Sequence, residues 1–268
     1  MNIKKNRDNH MYNRPRIIPV LLIDDKDLIK TKQFGKRTYL GDPVNAVRIF
    51  NIKGVDEISI LDIGATKNHR EPDYELLADV ASEAFMPLSY GGGITNIDQI
   101  RKLFSIGYEK VVINTALIDN PKIIKEAATY FGSQSIVASI DAKKISSGYE
   151  VYVEGGTRPT GITPEILSEK AFNLGAGEII INSIDNDGMM QGYDIDLVRS
   201  ISDRVNIPVT AIGGAGGIQD IKKVLTEGHA HAAAGGSMFV FYGRLRAVLI
   251  TAPKEQELVE AGIYDELI

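Results

Sequence analysis

The chain has no cysteine among its 268 residues. Disulfides and thiolate metal sites are therefore excluded, and secretion gains no support. It also lacks a long apolar run. The stretch Ile17–Ile23 is far shorter than the roughly 20 residues that cross a bilayer. The N-terminal "MNIKKNRDNHMYNRPR" is basic but is not followed by an apolar segment of signal type. No strong charge excess is present either: the net charge is −5 and the pI about 5.5, so the basic footprint of a nucleic-acid binder is missing. The four histidines, His10, His69, His229 and His231, show no metal-ligand spacing. The pair His229 and His231, two apart near a strand start, reads as structural. These absences predict a soluble cytoplasmic protein with no metal or other cofactor and no nucleic-acid or membrane partner.

What is present is a regular alternation. With 44% hydrophobic and 24% charged residues, the chain can bury a full core. Short β-type runs fall at 16–22, 57–63, 85–90, 110–114, 135–141, 178–183, 207–212 and 230–236. Between them lie helical patterns such as "NIDQIRKLFSIG" and "IQDIKKVLTEG", several ending in the glycine that commonly follows a helix. Strand and helix in strict alternation imply parallel pairing with crossovers. Eight such units predict an α/β fold, a closed (β/α)8 barrel, with an open doubly wound sheet as runner-up. We divide residues 1–268, a single domain, into an N-terminal extension (1–15), two half-barrels (16–123 and 124–245) and a tail (246–268). The insert "KISSGYEVYVEGGTRPTG" after the fifth strand predicts a hairpin over the top face, with Gly155 and Gly156 available for turns.

The half-barrels follow from an internal repeat. "GVDEISILDI" from Gly54 matches "GAGEIIINSI" from Gly175, and "IDQIRKLFSIG" from Ile97 matches "IQDIKKVLTEG" from Ile218; both pairs lie 121 apart. One shared offset in two separate matches indicates duplication. A two-fold barrel presents two equivalent sites on its C-terminal face, which suits a ligand with two similar ends.

Each half carries a glycine-rich loop between a strand and a helix: "GGGIT" at Gly91–Thr95, holding Gly92 and Gly93, and "GGAGGI" at Gly213–Ile218, holding Gly214 and Ala215. Glycine lets the backbone approach a ligand, and amides at a helix start attract anions. The fourth and eighth strands end in Asn114-Thr115 and Gly236-Ser237, adding hydroxyl and amide groups. Two phosphate sites are expected, one per half, for a phosphorylated small-molecule ligand.

At this point the residues suggest a family. The stretches "RIIP", "GDPV", "DEISILDI", "YGGGI", "VVINTA", "FGSQSIVASIDAK", "TGI", "GAGEIIINSIDNDGMMQGYD" and "GGAGG", spread over roughly Arg16 to Phe241, resemble the cyclase subunit of imidazole glycerol phosphate synthase. The pairing of "SIDAK" with "NSIDNDG" and "GYD" is similar to the cyclase rather than to its sister barrel, the isomerase. The resemblance implies a (β/α)8 barrel with a bisphosphate ligand. It also implies a separate glutaminase on the N-terminal face, whose ammonia crosses the barrel. The family's two catalytic aspartates end strands one and five. Asp141 matches the second. The first falls on Leu22, since the spacing from Pro19 to Gly41 equals the family's. Asp24 lies two residues further on, roughly 6–7 Å along an extended chain, and is the weaker candidate for a substitute.

By the same resemblance Lys30 falls on the lysine of the family's mobile first loop, without that loop's glycines. Asn182, Asp185 and Asp187 follow strand six, and Gly188 makes a phosphate-facing turn. Asn182 and Met189 stand where the family usually has threonine, and Ile212 where it has serine. Arg16, Glu57, Lys110 and Glu178 open strands one, two, four and six and match the family's charged ring, which gates ammonia entry. The ring is kept while one aspartate is lost. The expectation is therefore a subunit that takes ammonia from a glutaminase and delivers it to another acceptor. Divergent members of the family are associated with acetamidino sugars of surface polysaccharides, where a further amidating enzyme is the partner. The alternatives are a working cyclase of histidine biosynthesis and, less favoured, a sugar-phosphate isomerase.

Overall fold

The computed structural model describes residues 14–243 and 245–265, so most of the expected extension at 1–15 lies outside the described residues. Eight parallel strands form the centre: β1 (Arg16–Asp24), β2 (Ile58–Asp62), β3 (Leu88–Gly91), β4 (Lys110–Ile113), β5 (Ile136–Ile145), β6 (Glu178–Ser183), β7 (Val209–Ile212) and β8 (Ala232–Gly235). Each pairs with the next, and β8 returns to β1 from Arg16–Ala232 to Pro19–Gly235. The sheet is thus a closed barrel, and the open-sheet alternative is excluded. Seven helices wrap it: α1 (Pro43–Lys53), α2 (Tyr74–Ser82), α3 (Ile97–Ile106), α4 (Lys122–Phe131), α5 (Pro164–Leu174), α6 (Ile195–Ser202) and α7 (Ile218–Thr226). Among the described residues no helix is long and apolar enough to cross a membrane.

The period of two along each strand sorts the core into two layers. Ile17, Leu21 and Ile23 of β1 point outward, with Ile58 and Ile60 of β2, into the large cluster beneath the helices. Ile18, Val20 and Leu22 point inward and pack with Ile212 and Ala234, against Leu61 and Ile180. The interior therefore presents inward-facing residues in layers from the bottom ring to the top cavity.

The offset of 121 recurs in the backbone. β3 and β7 begin one residue after Pro87 and Pro208, slightly later than the sequence pattern suggests. Proline has no N–H for the ladder, but the two carbonyls still accept from Ile58 N and Ile179 N, each at 3.0 Å. Asp73 and Asp194 likewise cap α2 and α6 by accepting from Leu76 N and Leu197 N.

Two hairpins rise from the top. β1 leads into antiparallel arms Asp27–Thr31 and Arg37–Gly41. β5 runs on past the barrel and pairs with Gly148–Val153, after which Gly155 and Gly156 make a second turn with positive φ. At the other end the tail forms the helix Glu255–Glu260 just beyond Pro253. Tyr264 then donates to Asp56 at 2.8 Å, and the Arg14 guanidinium lies 3.8 Å from the Tyr264 ring centre.

Candidate functional site

The C-terminal strand ends open into one cavity of about 650 Å³. Every residue expected to bind ligand lines it: Gly92, Gly93, Asn114 and Thr115 from the first half, and Asp187, Gly188, Gly214, Ala215, Gly236 and Ser237 from the second, with Lys30, Asp141 and Asn182 alongside. The glycine loops are shaped by close approach. A Cβ on Gly92 would stand 2.4 Å from the Asp62 carbonyl oxygen, and one on Gly213 would stand 2.7 Å from that of Ser183. Both glycines also have positive φ. The two loops thus cross the ends of β2 and β6 in the same way, 121 residues apart.

Asp141 sits at the top layer of β5, where the strand still pairs with β6. Its carboxylate accepts from Asn114 Nδ2 at 3.1 Å and from Asn182 Nδ2 at 3.2 Å. Burial pushes its pKa up to about 7, with Asp187 adding repulsion and the two amide contacts pulling the other way. A carboxyl with a pKa near neutrality can both give and take a proton. Opposite it in function, the β1 end is apolar. Leu22 lines the cavity as the expected alignment places it, beside Val20 and Leu61. Asp24 is not part of the lining. Its carboxylate is bound by Arg37, so the structure does not bring the substitute candidate to Asp141.

Lys30 is placed differently from a residue on a free loop. Its side chain is 5% exposed, and Nζ donates to Asp187 Oδ1 at 2.8 Å and to the Thr31 carbonyl at 3.1 Å. Asp187 also accepts from Thr31 Oγ1 at 2.8 Å, while its own carbonyl accepts from Gln33 N at 2.8 Å. The first hairpin is therefore fastened to the loop after β6. The Lys30 stem crosses Gly236, where a Cβ would stand 2.8 Å from Lys30 Cε. Any larger residue there would displace it.

Sequence patterns did not point to several groups at the rim. Asp62 ends β2, accepts from Gly64 N at 2.9 Å and Ala65 N at 2.8 Å, and has its pKa raised by burial despite those amides. Arg70 lines the cavity with Nη2 3.9 Å from Asp62. Arg246 donates to the Gly188 carbonyl at 3.1 Å and contacts Ser237 Oγ at 3.5 Å, beside the second glycine loop. A carboxylate at a barrel strand end was a usable signal for Asp62. The two arginines arrive from distant loops and left none.

At the bottom, Arg16, Glu57, Lys110 and Glu178 close a ring. Arg16 donates to Glu57 at 2.5 Å and to Glu178 at 2.8 Å, and Lys110 donates to each glutamate at 2.9 Å. Thr210 Oγ1 adds a bond to Glu178 at 2.5 Å. Burial would raise the Glu178 pKa, but the charges of Arg16 and Lys110 outweigh it and hold the carboxyl below its usual range.

Residues 16–246 match the histidine biosynthesis protein family. The chain belongs to that family. Within it the chain is a HisF-like member. It is 49% identical over 242 residues to a provisionally named imidazole glycerol phosphate synthase subunit HisF of Leptospira borgpetersenii, which spans 90% of this chain and 95% of the relative. The corresponding protein of Leptospira interrogans is 46% identical over 246 residues, 91% of this chain and 97% of the relative. A provisionally named subunit hisF2 of Pseudomonas aeruginosa is 47% identical over 246 residues, 91% and 98%. The barrel, the glycine loops and the bottom ring thus lie within the matched part of a HisF-like chain.

Proposed function

We propose that this chain is the synthase subunit of a cytoplasmic, glutamine-dependent amidation system, built from two fused half-barrels. A separate glutaminase sits on the N-terminal face, and its ammonia passes the ring of Arg16, Glu57, Lys110 and Glu178. At the top the ammonia is delivered for amidation of a surface-polysaccharide sugar held by a further enzyme. The observation that carries this reading is the contrast between the two ends: the ring is complete and fully paired, whereas at the top the β1 end offers the cavity Leu22 in place of a carboxylate. An exposed apolar pair on the bottom rim fits a docked partner. Ile52, in the last turn of α1, is 82% exposed, and Phe85, 90% exposed, donates its backbone N–H to Asn51.

The second reading is a working cyclase, favoured by Asp141 and by the two glycine loops on one cavity. It would split the aminoimidazole ribonucleotide bisphosphate precursor with ammonia to imidazole glycerol phosphate and the aminoimidazole carboxamide ribonucleotide. Purified protein, ammonium salt and that precursor decide between them. We expect turnover at least a hundredfold below that of a cyclase carrying both aspartates, and a gain in Leu22→Asp. Cyclase-like turnover in the unaltered protein would rule out the delivery role. For the partner, glutaminase activation is measured with Lys110→Ala and Glu178→Ala. Unchanged activation would remove the gate from the proposal.

A further inference from the structure

The chain beyond β8 forms a further small hairpin, whose arms Phe241–Tyr242 and Ala247–Val248 pair antiparallel. Its ladder runs on into the body of the protein: Leu249 N donates to the Val240 carbonyl and Thr251 N to that of Phe239, each at 2.9 Å. Phe239 and Val240 are buried, so the base of the hairpin is rooted in the core. Successive side chains along an arm point to opposite faces. Phe241 and Val248 pair on one face, where the Arg246 guanidinium lies 4.8 Å from the Phe241 ring centre. Tyr242 and Ala247 pair on the other, Leu249 is two residues on from Ala247, and Leu245 lies in the turn. Tyr242 is 64% exposed, Leu245 95% and Leu249 51%. A hairpin with one face in water normally alternates apolar and polar residues. This one is apolar on both faces, and its own chain covers one at most.

The hairpin stands at the rim of the large cavity. Arg246 donates to the carbonyl of Gly188, which lines that cavity. The first hairpin meets the same glycine: a Cβ on Gly188 would stand 2.4 Å from the Thr31 carbonyl oxygen and 3.1 Å from Lys32 Cα. Lys32 and Lys36, at the exposed turn of the first hairpin, form no ion pair among the described residues. We propose that the outer face of the last hairpin, flanked by Lys32 and Lys36, docks the enzyme that holds the ammonia acceptor, through an apolar surface edged with carboxylates. The proposal rests on the delivery reading above and gives its partner a place and a chemistry. Position chooses the occupant, since whatever covers this hairpin stands beside the mouth from which ammonia leaves. A second copy of this chain fits less well. A two-fold pair centred here would set the lysines of both copies at one interface and turn one mouth onto the other. The exposed apolar face amounts to on the order of 500 Å², below the roughly 800 Å² that each partner gives to a stable complex. It suits an enzyme that docks transiently.

The test starts from the full-length protein in its native cells, with photoreactive benzoylphenylalanine in place of Leu245. The cross-linked protein is identified by mass spectrometry and purified. Its binding to the unaltered chain, to Leu245→Asp and to the double variant Lys32→Glu, Lys36→Glu is then measured by calorimetry, with thermal midpoints confirming that all three are folded. We expect an enzyme that consumes ammonia. Leu245→Asp should weaken its binding by about tenfold or more, and the charge reversals should weaken it several-fold, less so at high salt. A second copy of this chain as the cross-linked protein, a partner that uses no ammonia, no cross-link at all, or equal binding by the three proteins would overturn the proposal. The partner's amidation is finally followed with glutamine plus the glutaminase, and with ammonium salt as the control that needs no docking. Binding that depends on Leu245 while glutamine drives no amidation upholds the surface and counts against the delivery reading alone. Glutamine-driven amidation that runs unchanged with Leu245→Asp upholds delivery and overturns the surface.

Discussion

Asp141 is a buried carboxylate at the top of β5 with two amide partners. Its pKa near 7 arises first from burial and is moderated by Asn182 and Asn114. Both amides stabilise the charged form, so losing one must raise the pKa further. Carboxyl NMR should therefore place the Asp141 midpoint near about 7, and Asn182→Ala should move it upward. A midpoint in the ordinary carboxylate range would show that the site is wetter than the structure implies. Arg246 belongs to the same scale. Charge-assisted hydrogen bonds contribute about 1.5–3 kcal/mol, so Arg246→Ala should weaken inorganic phosphate binding by about tenfold or more in calorimetry, with the fold intact. Asp141 could be found in the sequence because its strand carries it in a continuous motif. Arg246 could not, because its place beside Ser237 depends on how a hairpin at Phe241–Tyr242 and Ala247–Val248 folds back.

At the scale of elements, the first hairpin is the part that sequence left open. Its strand pattern continues from β1, but the bonds that fix it come from Asp187, 156 and 157 residues away. No local periodicity encodes such a contact. The barrel strands and helices, by contrast, were legible from alternation, helix-ending glycines and the 121-residue offset, all of which are local or repeated. Asp187→Asn should test the fastening. It leaves the buried Lys30 ammonium without its countercharge, a loss of about 3–5 kcal/mol when a buried pair is broken. Much of that loss should appear as local opening: hydrogen exchange across Asp27–Gly41 should quicken strongly, while the amides of β4 and β5 keep their protection.

For the whole molecule, the bottom ring ties β1, β2, β4 and β6 together across the barrel axis. Lys110→Ala leaves two buried glutamates sharing Arg16, and urea unfolding near neutral pH should show a loss of about 3 kcal/mol. The pH dependence follows from Glu178. Its folded pKa lies below the usual carboxylate range, so its contribution is present above the unfolded pKa and disappears as pH falls through the lowered folded value. The stability gap between the unaltered protein and Lys110→Ala should therefore narrow on acidification below the ordinary carboxylate range. A gap that stays constant in acid would mean that the ring's charges add nothing to folding.

The ring has a mechanical consequence. Arg16 bridges both glutamates, and so, independently, does Lys110. If Lys110 swings aside, Glu57 and Glu178 stay anchored by Arg16 and the strands keep their positions. Opening the ring then needs only the movement of one side chain, not the separation of backbone elements. Lys110 is 18% exposed and held by two buried carboxylates, so its departure is slower than the picosecond-to-nanosecond rotamer change of an exposed side chain. The closure of the ring thus depends on the ion pairs of single side chains rather than on the backbone.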